Sequence, residues 1–142
     1  MRFPTLSGAK PRILSYELPG GWMIFAGASD ADNDYLSTQL AEANDWWFHA
    51  DKVPGSHVIL RARADAEPSR ETLKQAAAVA AYHSKARNAS TVAVHYSRAR
   101  HVSKPRGVKA GTVNVSRGRV LKVRPDISFA KRQPSKPVEK TS

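Results

Sequence analysis

Asp45-Trp46-Trp47-Phe48-His49-Ala50-Asp51-Lys52-Val53-Pro54-Gly55-Ser56-His57-Val58 is the stretch from which the fold is read. Trp46 to Ala50 has the aromatic content of a strand on a pleated, half-buried surface. Val53-Pro54-Gly55-Ser56 is turn chemistry, with proline setting its own φ and glycine free of the Cβ penalty. His57-Val58-Ile59-Leu60 resumes a β-branched run that reads as a buried strand. The unit is therefore strand, turn, strand, with a histidine on each side of the turn. Alternation must bury one of Trp46 and Trp47.

Outward from this unit, the N-terminal side holds a hairpin and a helix. Ile13 to Leu18 and Trp22 to Ala26 flank Pro19-Gly20-Gly21, a turn signal. Ser29 or Asp30 can cap a helix carrying Leu36, Leu40 and Ala43 on one face, with Asn44 as its stop. On the C-terminal side Ser69 caps a long helix, Arg70 to about Arg87. Its face of Leu73, Ala76, Ala77, Ala80, Ala81 and Ser84 would let the backbone approach a sheet closely, and Lys85 and Arg87 would complement the helix dipole. Thr91 to Tyr96 alternates as a strand. Lys104-Pro105-Arg106-Gly107 reads as a stiff basic loop, and Thr112 to Val115 with Val120 to Val123 as a C-terminal hairpin across Ser116-Arg117-Gly118. The order β-β-α-β-β-α-β-β-β makes this an α+β (mixed α/β) domain. The expected sheet has about six to seven strands with two main helices packed on it. The expected divisions are a flexible lead over 1–11, the domain over 12–125 and a basic disordered tail over 126–142.

The chain of 142 residues suits one domain. It has no cysteine, which excludes disulfides, thiolate nucleophiles and zinc-thiolate sites. The N-terminus lacks a signal-peptide apolar run, and no segment reaches membrane-spanning length, so a cytoplasmic protein without a membrane partner is expected. The net charge of +11 is unevenly placed. Residues 1–97 hold ten Lys/Arg and ten Asp/Glu, residues 98–125 hold nine bases and no acid, and residues 126–142 hold four bases and two acids. A neutral domain that ends in a cationic quarter points to a polyanion, most often nucleic acid. The ordinary alternative is a solvated basic surface that maintains solubility.

Several segments resemble the NFACT-R module, the C-terminal RNA-binding part of the NFACT proteins of ribosome-associated quality control. They are Asn33-Asp34-x-Leu36-Ser37, Asp45-x-Trp47-Phe48-His49-Ala50 and Pro54-Gly55-Ser56-His57-Val58, followed by Ala80-Ala81-Tyr82-His83-Ser84-Lys85-Ala86-Arg87, Val94-x-Tyr96 and Val102-x-Lys104-Pro105-Arg106-Gly107. The motifs run in family order over about residues 14–124. The chain departs from the pattern at Gly27-Ala28-Ser29, where the family carries Gly-Arg-Asn, and at Ala110-Gly111, where it carries Pro-Gly. Full NFACT proteins also have an N-terminal domain, a helix-hairpin-helix and a coiled coil. The resemblance thus implies a stand-alone RNA-binding module, without catalysis or cofactor of its own, whose partners are ribosomal RNA of the large subunit or tRNA. Its oligomeric state is left open.

Arg61, Lys85, Arg87, Arg100, Lys104, Arg106 and Lys109 are the candidate phosphate contacts, since arginine forks onto phosphate oxygens and lysine acts as a point charge. Trp47, Tyr82 or His49 could stack on unpaired bases if exposed, with core packing as the ordinary alternative. Asn33, Asp34, Trp47, His49, Pro54, Gly55, Ser56 and His57 form the motif around the central turn, where Asn33 and Asp34 would tie the helix start to the turn. His49 and His57 with Asp34 and Asp51 lack an established metal-ligand spacing. Ser56-His57 lie adjacent in a strand, on opposite faces, and so make a poor nucleophile–base pair. The competing readings are a metal- or His-dependent nuclease or phosphoesterase using Asp34, His49, His57 and Lys85, and a surface adhesin, after the family's fibronectin-binding label.

Overall fold

A computed structural model describes residues 11–134. Nine strands and two main helices follow one another as β1 (Ile13–Leu18), β2 (Trp22–Gly27), α1 (Asp30–Tyr35), β3 (Trp46–Ala50), β4 (Val58–Leu60), α2 (Arg70–Tyr82), β5 (Val92–Arg98), β6 (Val102–Ser103), β7 (Asn114–Val115), β8 (Arg119–Val123) and β9 (Lys131–Arg132). Seven strands form one antiparallel sheet in the order β8-β5-β3-β4-β2-β1-β9, and β6 pairs with β7 separately. The α+β architecture expected from the sequence is the one observed.

The two faces of the sheet are covered differently, and alternation along β3 shows how. Phe48 and Ala50 point into a core shared with Ile24, Val58, Leu60, Val94 and Tyr96, under the alanine face of α2. Ala76, Ala77, Ala80 and Ala81 are fully buried there. Small side chains bring the helix backbone close, so the sheet's large residues supply most of the dispersion contacts. Trp47 and Ile59 point to the opposite face, beneath Leu36 and Leu40. Trp47 is thus the tryptophan that alternation buries, at 3% exposure. Trp46 lies half-buried on the α2 side with the Arg98 guanidinium 4.0 Å above its ring.

Four local expectations change in three dimensions. The first helix starts as read, with Ser29 Oγ accepting from the Asp32 amide. It then widens into a π turn over Leu36–Leu40 and stops before Asn44. There the Asp45 carboxylate accepts from the Glu42 amide and bends the chain. The long helix ends at Tyr82 rather than near Arg87, because residues 83–85 leave the helix to meet the central turn. Lys85 and Arg87 consequently lie beyond the last helical turn. Residues 112–115 and 120–123 form no hairpin with each other, since β7 joins β6 and β8 extends the sheet beside β5. β8 follows the pairing that buries Leu121 and Val123. Finally, the expected disordered tail contributes β9, in register with Tyr16 and Glu17 of β1, and Ile127, Phe129 and Ala130 pack on the core. The lead over 1–10 and residues 135–142 lie outside the described residues.

Leucine at position 80 has no room under α2. Ala80→Leu is expected to destabilise the protein by about 1–3 kcal/mol through overpacking, read as a lower urea midpoint at unchanged slope.

Candidate nucleic-acid interface

Four stretches far apart in sequence meet at one end of β3 and β4. The central turn is pressed against the residues after α2: Ser56 N–H donates to the His83 carbonyl, and Lys85 N–H to the Pro54 carbonyl, both at 2.9 Å. Gly55 faces Ser84 so closely that a Cβ on Gly55 would lie 2.7 Å from the Ser84 Cβ. From the other side, Asn33 donates to the Gly55 carbonyl and accepts from the His57 amide. Gly27 leaves the space for Asn33, since a Cβ there would overlap it. The fourth stretch is the basic loop, whose Gly111 N–H donates to Asp34 at 2.9 Å. Lys104 Nζ lies 3.4 Å from the same carboxylate and also donates to the carbonyls of Lys109 and Thr112. Asn33 therefore ties α1 to the turn, as expected, whereas Asp34 ties α1 to the basic loop.

Beneath the turn lies a buried relay. Trp47 Nε1–H donates to Ser37 Oγ at 3.1 Å, and that hydroxyl pairs with His57 Nδ1 at 2.8 Å. Held by the indole on one side, the Ser37 hydroxyl fixes the orientation of the imidazole on the other. Burial, with the neighbouring His49 adding to it, pushes the His57 pKa down to about 4. His49 is lowered too, chiefly by burial. Its ring lies 6.0 Å from Trp47 and 5.1 Å from His57. Ser56 uses its hydroxyl on the Gly27 carbonyl. A Ser37–His57 pair with 9% and 2% exposure is sealed from any substrate. Its role is to fix the turn. Among the described residues no group of three or more His, Asp or Glu is arranged to hold a metal.

The seven candidate cations separate into two groups. Arg61 lies at the opposite end of β3 and β4, where it pairs with buried Asp45 at 2.6 Å. Asp45 also accepts from the Glu42 and Ala62 amides, and burial raises its carboxyl above the ordinary value despite these partners. Removing one member of such a pair strands the other charge, so Arg61 is a structural cation. Arg100 lies at that same end, bonded to Asn44 at 2.6 Å, in an open cleft of about 610 Å³ that also holds Arg98 and Glu67. Lys85 and Arg87 follow the residues pressed on the turn, and Lys104, Arg106 and Lys109 lie on the basic loop that Asp34 anchors. Arg106 and Lys109 are exposed on the basic loop, and Lys85 lines an open cleft of about 260 Å³ with Asn33, Gly55, Ser56 and His83. Arg87 stacks on Tyr82 at 4.1 Å. Trp47 is buried and offers no surface for a base, and His49 is half-buried beside it. Sequence reasoning missed Ser37 and Asp45 as anchors, although both stand in the quoted motifs. Their importance lies in burial, which no spacing encodes.

The lowered His57 pKa carries a sign. The unfolded chain protonates this histidine near pH 6.5 and the folded chain only near 4. Stability is therefore fully present above the unfolded value and falls as pH drops from about 6.5 toward 4. The loss is on the order of 2–3 kcal/mol. Urea midpoints at pH 7.5 and 4.5 should show it, and His57→Gln should be less stable at pH 7.5 but lose less on acidification.

Residues 13–117 match the family model described as the NFACT protein RNA binding domain. The Rqc2 homolog RqcH of Bacillus subtilis (strain 168) is 40% identical over 116 residues, which is 82% of this chain and 20% of that protein. The Rqc2 homolog RqcH of Streptococcus suis (strain 05ZYH33) is 39% identical over 106 residues, 75% of this chain and 19% of that protein. The chain thus spans about a fifth of the length of these curated relatives. A solved structure, the C-terminal of the fibronectin/fibrinogen-binding protein from Streptococcus suis, superimposes with a TM-score of 0.74 at 37% identity, over 83% of this chain and 46% of that one. With its motifs, its fold and most of its length accounted for in this way, the chain belongs to the NFACT protein RNA binding domain family.

Proposed function

We propose that this chain binds RNA through the cationic rim around the Pro54–Ser56 turn, and that it does so on large-subunit ribosomal RNA or tRNA during ribosome-associated quality control. The observation that carries the reading is the convergence of two basic stretches on one turn. The loop bearing Arg106 and Lys109 is anchored through Gly111 and Asp34, and Lys85 and Arg87 are anchored through Ser84 and Gly55. Cations held apart on stiff backbone contact phosphates at a modest entropic cost. The choice of quality control rests on the relatives, which bear the name Rqc2 homolog RqcH. No helix among the described residues is long and apolar enough to cross a membrane. Ribosomes place the site of action in the cytoplasm. The module positions RNA and performs no catalysis of its own. A nuclease reading has less to draw on, because His57 is sealed under the turn and Asp34 is engaged by Gly111 and Lys104.

Binding to large ribosomal subunits, tRNA and an unrelated double-stranded RNA at two salt concentrations tests this. Arg106→Glu with Lys109→Glu should weaken RNA binding at least tenfold at low salt, at unchanged urea midpoint. The salt dependence should flatten by about 0.7–0.9 for each phosphate the protein no longer neutralises. Unchanged affinity and slope would remove the basic loop from the interface. Equal, steeply salt-sensitive binding to all three RNAs would reduce the claim to a general cationic patch.

A further inference from the structure

Beyond the family match, which ends at residue 117, β9 brings a cation into the turn's surroundings. Register places Arg132 opposite Tyr16, on the α2 side of the sheet, and its guanidinium lies 6.0 Å from the Tyr16 ring. Tyr16 Oη bonds His83 Nε2 at 2.8 Å, with ring centroids 5.8 Å apart. His83 in turn meets Tyr82 edge-on at 5.2 Å, and Arg87 covers the Tyr82 ring. The result is one row, Arg87-Tyr82-His83-Tyr16-Arg132, with an arginine at each end. His83 also lines the cleft that holds Lys85.

We propose that this row is a second RNA phosphate subsite, in which Arg87 and Arg132 hold the backbone at the two ends and Lys85 holds it in the adjoining cleft. The inference rests on the RNA-binding reading and extends it to a strand built from the C-terminal segment. Both arginines and Lys85 are exposed. Burial lowers the His83 pKa first, and among the described residues the charges of Arg87 and Arg132 add to it. The local field at the middle of the row is thus positive, and the ring is held neutral. Lys131 offers the contrast: it stands opposite Glu17, where a carboxylate is available across the strands. Asp30 is the acid that lines the cleft, at the side where Gly111 packs against it. An edge arginine often serves only to discourage strand addition, but that role requires no second arginine at the far end of an aromatic row. Its two exposed arginines are separated by half-buried Tyr82 and His83 and by buried Tyr16, a span that suits an extended backbone better than an isolated phosphate ion. Arginine also combines phosphate forks with ring stacking.

The test uses the full chain and a single-stranded oligouridine RNA, with affinity measured by fluorescence anisotropy over a salt series. Arg132→Gln and Arg87→Gln should each lower affinity about three- to tenfold at low salt and reduce the salt slope by about 0.7. Lys131→Gln should leave the slope unchanged. Urea midpoints that match the parent's confirm that each variant folds. If Arg132→Gln binds as the parent does while Arg106→Glu is weakened, the row is no subsite and the RNA reading stands. If none of these variants loses affinity, the RNA reading fails with it. An equal loss for Lys131→Gln and Arg132→Gln would reduce the effect to net charge and overturn the assignment.

Discussion

The contact between Gly55 and Ser84 is the constraint on which the central-turn end of this protein depends. Only a residue without a Cβ lets the turn lie this close to the end of α2, and the approach allows the Pro54 and His83 carbonyls to receive backbone donors. Once the turn is held there, Asn33 can bridge Gly55 and His57, and α1 is brought alongside. Asp34, on the same helix, then captures the basic loop. A chain of short, mostly backbone-directed hydrogen bonds thus carries position from the sheet to the cations. Each bond contributes only about 0.5–1.5 kcal/mol net, but each also satisfies a group whose burial unpaired would cost more.

The same accounting explains why residue charge is a poor guide to a binding surface. Arg61 and Lys104 are both cationic, yet one neutralises buried Asp45 and the other closes its own loop through the Lys109 and Thr112 carbonyls. Arg98 is held by Glu67, the Asn44 carbonyl and the Trp46 ring. Such groups stabilise geometry and keep their field largely at home. Arg106, Lys109, Lys85 and Arg87 stand on the surface those internal pairs hold in place. The histidines divide in the same way. His57 is neutral and structural beneath the turn, whereas half-buried His83 sits in a row flanked by two exposed arginines.

Much of the fold was legible because its signals are local. Aromatic and β-branched alternation marked β3, β4 and β5, the Pro19-Gly20-Gly21 turn joined β1 to β2, and Ser29 and Ser69 capped the helices as read. The failures have one cause. Thr112 to Val115 and Val120 to Val123 look like hairpin partners, but β8 buries more by pairing with β5, and β7 takes β6 instead. The polar composition after Pro125 argued for disorder, yet Ile127, Phe129 and Ala130 found core to pack on and so ordered β9. In each case a distant surface outweighed local propensity.

By itself, the amino-acid sequence determined the α+β class, the burial of one of the two adjacent tryptophans, the central turn, and an excess of cations suited to a polyanion. These follow from period, turn chemistry and charge, which act over a few residues or over the whole composition. Only the tertiary structure decided which cations share a surface, because that depends on strand order and on two glycines that permit backbone contact. It moved Arg61 and Arg100 to the far end of β3 and β4, put Lys85 and Arg87 just past the residues that meet the turn, tied the loop of Arg106 and Lys109 to Asp34, and set Arg132 beside Tyr16. Strand pairing brings together residues separated by more than a hundred positions, and no spacing within the chain records it.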